Sequence, residues 1–375
     1  MKKSNILFLA GFGLLLVFPL VFADKVGGKV SEDENRYLAS FPDLGVHAGV
    51  QDEFENWIND NAGGRTKLKR LYNQVNIELL KSPRDAGNFY KDDWVFTLND
   101  SILQFLQHSD VMNEQQQEVF IDEYRKIQDA LSEQDISMST MVYPHKSEMY
   151  SEKFEGYVLP VSSESQLDVL ERIASQNEEM NLDVTYLEFL EQKSGGRQLY
   201  SKAYDGSHWN NQGAFEGYKM LMESVARELP EFRWLTEDEF AATTVQREKT
   251  YNGKIYSEED VEYAVKEPKA ELDMAWFESI QYVSSDMWNS YRYYRNSNSE
   301  LPKIVIVGDS YTWMFMLPWI SENFSETVFI HQLDCGNLQY IIDIVKPDIV
   351  VFAGLHNTVE EIVTQVSEGE VLRNK

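Results

Sequence analysis

The chain has 375 residues, enough for one large domain or two smaller ones at about 150 residues per domain. Hydrophobic residues make up 43% and charged residues 26%, a composition that supports a buried core and excludes a wholly disordered chain. Cys335 is the only cysteine, which excludes a disulfide scaffold and a cysteine-rich metal site. The net charge of −28 repels phosphates, so we expect no nucleic-acid partner.

The N-terminus carries a targeting segment and not part of the fold. Residues 6–23 form an 18-residue run without a charge, preceded by Lys2 and Lys3 and followed by Asp24. We predict that residues 1–23 are either a cleaved signal peptide or a single membrane anchor. Both alternatives place the rest of the chain outside the cytoplasmic membrane, on its periplasmic or extracellular face. We further predict a leader over residues 24–50 and a folded domain over residues 51–375.

Two helices and a hairpin are predicted at the start of this domain. Apolar residues recur at helical spacing over residues 54–58 and, after the glycines at 63 and 64, over residues 68–79. Residues 88–96 are aromatic and β-branched around a central Asp92-Asp93 pair, which is typical of a short hairpin.

Helical and strand patterns then alternate along most of the chain. We predict helices at about 112–134, 165–179, 211–228, 311–322, 338–345 and 358–367, and strands at about 136–143, 182–188, 303–307, 327–330 and 348–353. This alternation predicts an α/β fold with three α/β/α layers and a mostly parallel sheet. Residues 229–300 interrupt it with charged and aromatic segments, and we interpret them as an insertion packed near the site.

The segment Gly308-Asp309-Ser310 follows a run of four β-branched residues and precedes a predicted helix. A serine at this point is exposed at the end of a strand, beside free amides of the helix N-terminus that can stabilise an oxyanion. Ser310 is therefore a candidate nucleophile. The alternative is that Asp309 or Ser310 only caps the helix.

A nucleophilic serine needs a base, and the base needs a group that fixes its tautomer. His208 lies in the polar loop Tyr204-Asp-Gly-Ser-His-Trp-Asn210, and Asp205 precedes it by three residues. In a turn, this spacing lets the carboxylate fold back onto one ring nitrogen while the other faces outward. The alternative is an ordinary surface turn, because Asp-Gly is a common turn dipeptide.

Together these motifs resemble the SGNH hydrolase superfamily. Gly308-Asp309-Ser310 looks like its first block, and Asp205-Gly-Ser-His208 has the Asp-x-x-His spacing of its last block, although here the order is inverted. An Asp/His block followed by Trp209 and lying upstream is similar to the alginate-acetylation type of SGNH-like proteins and to the DHHW proteins of bacterial envelopes. The alginate type has one residue between acid and base, whereas here two residues separate them. Further weak matches lie at residues 35–42, 54–65, 89–96, 144–146 and 346–351.

The resemblance implies a function and a mechanism. Ser310 would be the nucleophile, His208 the base and Asp205 its orienting acid, and the acyl-enzyme would be resolved by a sugar hydroxyl or by water. We therefore expect an O-acetyltransferase or acetylesterase that acts on a cell-surface polysaccharide, with acetyl supplied by a membrane-bound O-acyltransferase. No cofactor and no metal are expected. The alternative is a non-catalytic envelope protein that retains the fold for polysaccharide binding or assembly.

Further candidates surround this site, each with a simpler alternative. Gly308, Asn357 and His356 are candidates for contacts to an oxyanion or substrate, and a plain strand-end turn is the alternative for the last two. Lys146 follows a predicted strand and is a candidate for substrate contact, unless it is a solvated lysine. Tyr204, Trp209 and the aromatic residues 288–294 are candidates for stacking on sugar rings, unless they belong to the core.

Overall fold

The structure is a computed structural model that describes most of the chain from residue 87 onward. It describes residues 87–369 apart from 252, 287 and 288, residues 371–372, and, nearer the N-terminus, residues 12–13, 17–19, 21–24, 29–31, 36–42, 45, 49–75 and 84. Most of the predicted targeting segment, Leu79 and Trp288 lie outside these residues. Among those described, no helix combines the length and apolar character needed to cross a membrane. The chain divides into two compact units, Met1–Leu98 with Lys249–Tyr256, and Asn99–Glu248 with Ser257–Lys375.

In the first unit, the elements whose bounds can be given from the described residues are short strands and two helices. Its elements are β1 (Val30–Ser31), β2 (Arg36–Tyr37), α1 (Val50–Asn61), α2 (Arg65–Gln74), β3 (Asn88–Lys91) and β4 (Trp94–Thr97). β3 and β4 pair antiparallel around Asp92 and Asp93, whose φ angles of 49° and 64° suit a two-residue hairpin turn. The predicted hairpin is confirmed.

The second unit holds the large sheet and the helices that cover it. Its helices are α3 (Asp100–Gln107), α4 (Glu114–Ser132), α5 (Lys146–Met149), α6 (Gln166–Gln176), α7 (Tyr186–Ser194), α8 (Asn211–Glu228), α9 (Ala275–Ser279), α10 (Ser310–Trp313), α11 (Leu317–Ile320), α12 (Leu338–Val345) and α13 (His356–Glu368). The strands after β4 are β5 (Ser137–Tyr143), β6 (Leu182–Val184), β7 (Phe240–Tyr251), β8 (Lys254–Val265), β9 (Ala270–Leu272), β10 (Arg292–Asn296), β11 (Lys303–Gly308), β12 (Glu326–His331) and β13 (Ile349–Leu355).

Among the described residues, seven strands form the central sheet, in the order β6-β5-β13-β11-β12-β10-β9. The first five run parallel, and β10 is antiparallel to both of its neighbours. Residues 304–307 of β11 are fully buried, as expected for a parallel strand covered on both faces. The predicted mostly parallel α/β fold is confirmed.

The two faces of the sheet pack against different helices. Val305 and Val307 join a hydrophobic cluster with side chains of α4, α6, α12 and α13. On the other face, α8 contacts β5, where the hydroxyls of Ser139 and Ser224 lie 2.6 Å apart. Alternate residues of each strand therefore enter separate cores, which gives the three layers.

The structure differs from the predicted elements in three places. The strand predicted over 182–188 ends at Val184, and α7 follows it. The helix predicted over 311–322 is divided into α10 and α11, with Pro318 in the first turn of the second. The segment interpreted as an insertion contains the hairpin of β7 and β8, and β9 and β10, which extend the sheet at one edge.

The close approach of β11 and β13 makes Gly308 hard to replace. A Cβ at this position would lie 2.1 Å from the carbonyl oxygen of Ala353, and both groups belong to paired backbones that cannot easily move. We expect Gly308→Ala to lower the free energy of unfolding by roughly 1–3 kcal/mol or more. Urea denaturation measures this change. Gly336→Ala is the matched control, because a Cβ there meets nothing within 4 Å. Equal unfolding midpoints for the two variants would contradict this prediction.

Candidate active site

The candidate site lies at the carboxyl edge of the parallel strands. β11 ends at Gly308, which pairs with Ala353 on one side and His331 on the other. Asp309 follows, and Ser310 begins α10. The strand-to-helix junction predicted from the Gly-Asp-Ser motif is therefore present, at the edge where open α/β sheets bind ligands.

Asp309, and not Ser310, caps this helix. Its Oδ1 accepts the Tyr311 amide at 2.9 Å, and its Oδ2 accepts the Leu355 amide at 2.8 Å and the Thr358 hydroxyl at 2.9 Å. Burial raises the pKa of Asp309, while these hydrogen bonds act in the opposite direction. One carboxylate thus ties the start of α10 to the β13–α13 junction and leaves the Ser310 hydroxyl available for other contacts.

Ser310, His208 and Asp205 form a continuous hydrogen-bonded chain. Ser310 Oγ lies 2.8 Å from His208 Nε2, and His208 Nδ1 lies 3.0 Å from Asp205 Oδ2. With the ring proton on Nδ1, where it is donated to the carboxylate, Nε2 is left to accept from the serine hydroxyl. The other carboxylate oxygen of Asp205 accepts the amides of Ser207 and His208 at 2.8 and 2.9 Å, which fixes its orientation.

The partly buried imidazole and carboxylate shift each other's pKa. Burial disfavours the imidazolium, but the adjacent Asp205 carboxylate outweighs it, so the pKa of His208 is raised above its usual range. Burial alone would raise the pKa of Asp205, yet the charge and hydrogen bonds of His208 hold that pKa well below its usual range. The pair therefore favours a charged carboxylate beside a ring that takes up a proton readily.

Aromatic packing supports the loop that carries the histidine. The Tyr311 hydroxyl donates to the Ser207 carbonyl at 2.6 Å, and the Tyr311 ring lies 5.0 Å from that of His208. Trp209 packs edge-on against Tyr143 and Tyr311 and is 1% exposed. The interpretation of Trp209 as a sugar-stacking residue is corrected here, because its ring has no open face. Tyr204 differs in being 42% exposed, and the Arg247 guanidinium lies over its ring.

Lys146 is neither a solvated lysine nor an open substrate contact. Its side chain is fully buried, and Nζ donates to the carbonyls of Asp205 at 2.7 Å and Lys202 at 3.2 Å. Burial lowers the pKa of Lys146 to about 7, although the charges of Asp205 and Glu258 oppose this shift. The lysine therefore supports the loop that carries Asp205, a role that its position after a strand did not indicate.

The remaining candidates take different positions. His356 is 1% exposed and its Nε2 lies 2.9 Å from Asp110 Oδ2, so it belongs to a buried polar cluster and offers no donor at the surface. The neighbouring carboxylates, Glu148 among them, outweigh burial and raise the pKa of His356 to about 9. Asn357 is exposed in the first turn of α13. Among the described residues, no group of three His, Cys, Asp or Glu is arranged to hold a metal ion.

Comparison with known proteins agrees with this fold. The alternating layers and the Gly-Asp-Ser junction are those of an SGNH-like α/β protein. A family model described as "SGNH hydrolase-like domain, acetyltransferase AlgX" matches residues 89–328, well over half of the chain. The chain belongs to this family. No curated protein matches the sequence.

Solved structures resemble this one at low sequence identity. Bacillus cereus PatB1 with a sulfonyl adduct is 16% identical, with a TM-score of 0.54 over 72% of this chain and 95% of that one. A second PatB1 structure is 15% identical, with a TM-score of 0.50 over 77% and 99%. The O-acetyltransferase domain of Pseudomonas putida AlgJ is 16% identical, with a TM-score of 0.42 over 76% and 99%.

The Asp205 charge sets the titration of His208. Because this carboxylate is what raises the pKa of the ring against burial, we expect Asp205→Asn to lower the pKa of His208. Titration of the ring proton resonances by NMR measures the shift. Asp343→Asn is the control, since Asp343 lies on α12 with an exposed side chain. An unchanged pKa in Asp205→Asn would contradict the electrostatic assignment.

Proposed function

We propose that this protein is an exported, serine-dependent O-acetyltransferase that acts on a cell-surface polysaccharide. The observation that carries the proposal is the hydrogen-bonded chain from Ser310 through His208 to Asp205, with distances of 2.8 and 3.0 Å. Membership of a family whose description names an acetyltransferase adds support. A non-catalytic binding protein has no need of this chain, and we do not favour that alternative.

In the first half-reaction, the Ser310 hydroxyl attacks the carbonyl carbon of an acetyl donor. Its proton passes to His208 Nε2, and the Asp205 carboxylate stabilises the imidazolium that forms. Collapse of the tetrahedral intermediate breaks the bond to the leaving group, which takes the proton from His208. Acetyl-Ser310 and neutral His208 remain. The Ser310 amide is the donor we propose for the oxyanion, because the amides of Tyr311 and Thr312 already donate to Asp309.

In the second half-reaction, an acceptor hydroxyl attacks the acetyl-serine and gives its proton to His208. Collapse releases the acetylated acceptor, and the proton returns to Ser310 Oγ. A sugar hydroxyl as acceptor makes the enzyme a transferase, whereas water makes it an esterase. The choice depends on how well the site excludes water during the lifetime of the acyl-enzyme.

Export and the source of acetyl complete the proposal. The apolar run at residues 6–23 supports either a signal peptide or an anchor, and both deliver the domain to the outer face of the cytoplasmic membrane. A donor made in the cytoplasm must then be handed across the bilayer, which is the part we assign to a membrane-bound O-acyltransferase. The acceptor polysaccharide is on the same side as the site.

Replacing the nucleophile or the base tests the mechanism. We expect Ser310→Ala and His208→Ala each to lower turnover of a chromogenic acetyl ester by about 10³-fold or more, because each removes a group that makes or breaks bonds. Ser163→Ala, on a surface loop, is the control for Ser310→Ala. Mass spectrometry of an added oligosaccharide separates transfer from hydrolysis. Wild-type activity that survives in Ser310→Ala, or no activity in the wild type, would refute the proposal.

The pH profile follows from the base that the mechanism requires. His208 accepts a proton only when it is neutral, so kcat/KM falls as the pH drops through the pKa of His208. Because that pKa is raised, we expect the acidic limb to lie above the ordinary histidine value of 6.5. Asp205→Asn should move the limb to lower pH and reduce the plateau by roughly 10³–10⁴-fold. A limb that stays in place would show that another group controls it.

A further inference from the structure

The loop of residues 201–208, here called the catalytic loop, carries both Asp205 and His208. It is not part of the sheet: at its ends, Tyr200 and Trp209 form an isolated bridge. Its shape must therefore come from hydrogen bonds to side chains. Two ionisable side chains from distant parts of the chain supply many of them, Glu258 on β8 and Lys146 at the start of α5.

Glu258 binds the backbone amides of the loop. Its carboxylate accepts the amides of Lys202 at 2.5 Å, Ala203 at 3.2 Å and Tyr204 at 2.7 Å. Three successive amides that converge on one anion form a nest, an arrangement that stabilises negative charge. Without the carboxylate, these donors would have to find other partners.

Ser201 carries this interaction on to Asp205. The Ser201 hydroxyl donates to Glu258 and in turn accepts the Asp205 amide at 2.9 Å. Glu258 thus holds the Ser201 hydroxyl, and this hydroxyl holds the backbone amide of Asp205.

Lys146 fixes the carbonyls of the same loop. Its buried Nζ donates to the carbonyls of Lys202 and Asp205. Asp205 is therefore held at its amide through Ser201 and at its carbonyl by Lys146. With this backbone fixed, the hydrogen bonds of Oδ1 to the amides of Ser207 and His208 leave Oδ2 facing the His208 ring.

We infer that Glu258 and Lys146 are positioning residues for the proposed reaction, which orient Asp205, and through it His208, without touching the substrate. This inference rests on the proposed function. Neither side chain donates or accepts a proton in the reaction, because both are occupied by backbone groups of the loop. Their effect is to hold the acid and the base in the geometry that the reaction needs.

Glu258→Gln and Lys146→Met test this role with little change in size. The first variant presents a neutral side-chain amide to the backbone donors, and the second leaves two carbonyls without the ammonium. We expect each variant to reduce kcat for the acetyl ester by roughly tenfold to a hundredfold with little change in KM. For Glu258→Gln we also expect the pKa of His208, followed by NMR, to fall towards its ordinary value as the Asp205 carboxylate loosens. Lys146→Met is judged by kcat alone, because the charge of Lys146 itself lowers the pKa of His208 and its loss acts in the opposite direction.

Two neighbouring residues provide matched controls. Glu259→Gln changes the next residue of β8, whose side chain is exposed, and Lys202→Met changes an exposed lysine of the loop itself. Both should retain wild-type kcat and the wild-type pKa of His208. Ser201→Ala removes only one hydroxyl, so it serves as the gentler variant if Glu258→Gln fails to fold, and it should shift kcat and the pKa in the same direction.

The readouts separate this inference from the proposed function. A wild-type protein without ester turnover would end the proposed function, yet the NMR titration of Glu258→Gln would still report whether Glu258 controls His208. With an active wild type, normal kcat in the folded variants, together with an unshifted pKa of His208 in Glu258→Gln, would overturn the positioning role. A raised KM with normal kcat would also overturn it, because it would mean that these residues contact substrate.

Discussion

The hydrogen bond between Asp205 and His208 is the interaction around which the site is built. A charged imidazolium is costly to bury, and the adjacent carboxylate more than offsets that cost, as the raised pKa of His208 indicates. The carboxylate is itself stabilised by two amides of its own loop. Removing His208 would leave the Asp205 carboxylate without its charged partner, and removing Asp205 would lower the pKa of the ring, so neither residue keeps its properties alone.

The sheet places the Asp205–His208 pair beside Ser310. Ser310 and His208 are 102 residues apart in sequence and meet because the catalytic loop and the β11–α10 junction lie at the same carboxyl edge. Asp309 keeps the junction rigid by linking three backbone or hydroxyl groups from α10, β13 and α13. Gly308 lets β11 approach β13 closely enough for that link to form. The position of Ser310 is therefore set by backbone packing, whereas that of His208 depends on side chains that hold a loop.

This difference explains which features of the fold and the site could be predicted from the sequence. The sheet was predictable because its strands are short runs of buried β-branched residues, and the triad candidates were predictable because each follows a strand or a turn signal. Lys146 was placed correctly after a strand, but an isolated lysine is normally exposed, and nothing local indicates its burial. Glu258 could not be found at all. It lies beside Glu259 in a charged strand, and only the fold decides which of the two faces the loop.

The position of the β7–β8 hairpin also depends on specific side-chain contacts. Most of its side chains are at least partly exposed, so burial of apolar area contributes little to its position. Its inward carboxylates make specific contacts instead: Glu258 binds the amides of the catalytic loop, and Asp260 accepts from the backbone amide and the side chain of Asn211, where α8 begins. Each of these carboxylates holds a specific set of donors in place, although a buried charge is by itself weak evidence for stability. A segment that looks like an insertion in the sequence thus contacts the start of the loop that carries Asp205 and His208, and also the first residue of the helix that follows this loop.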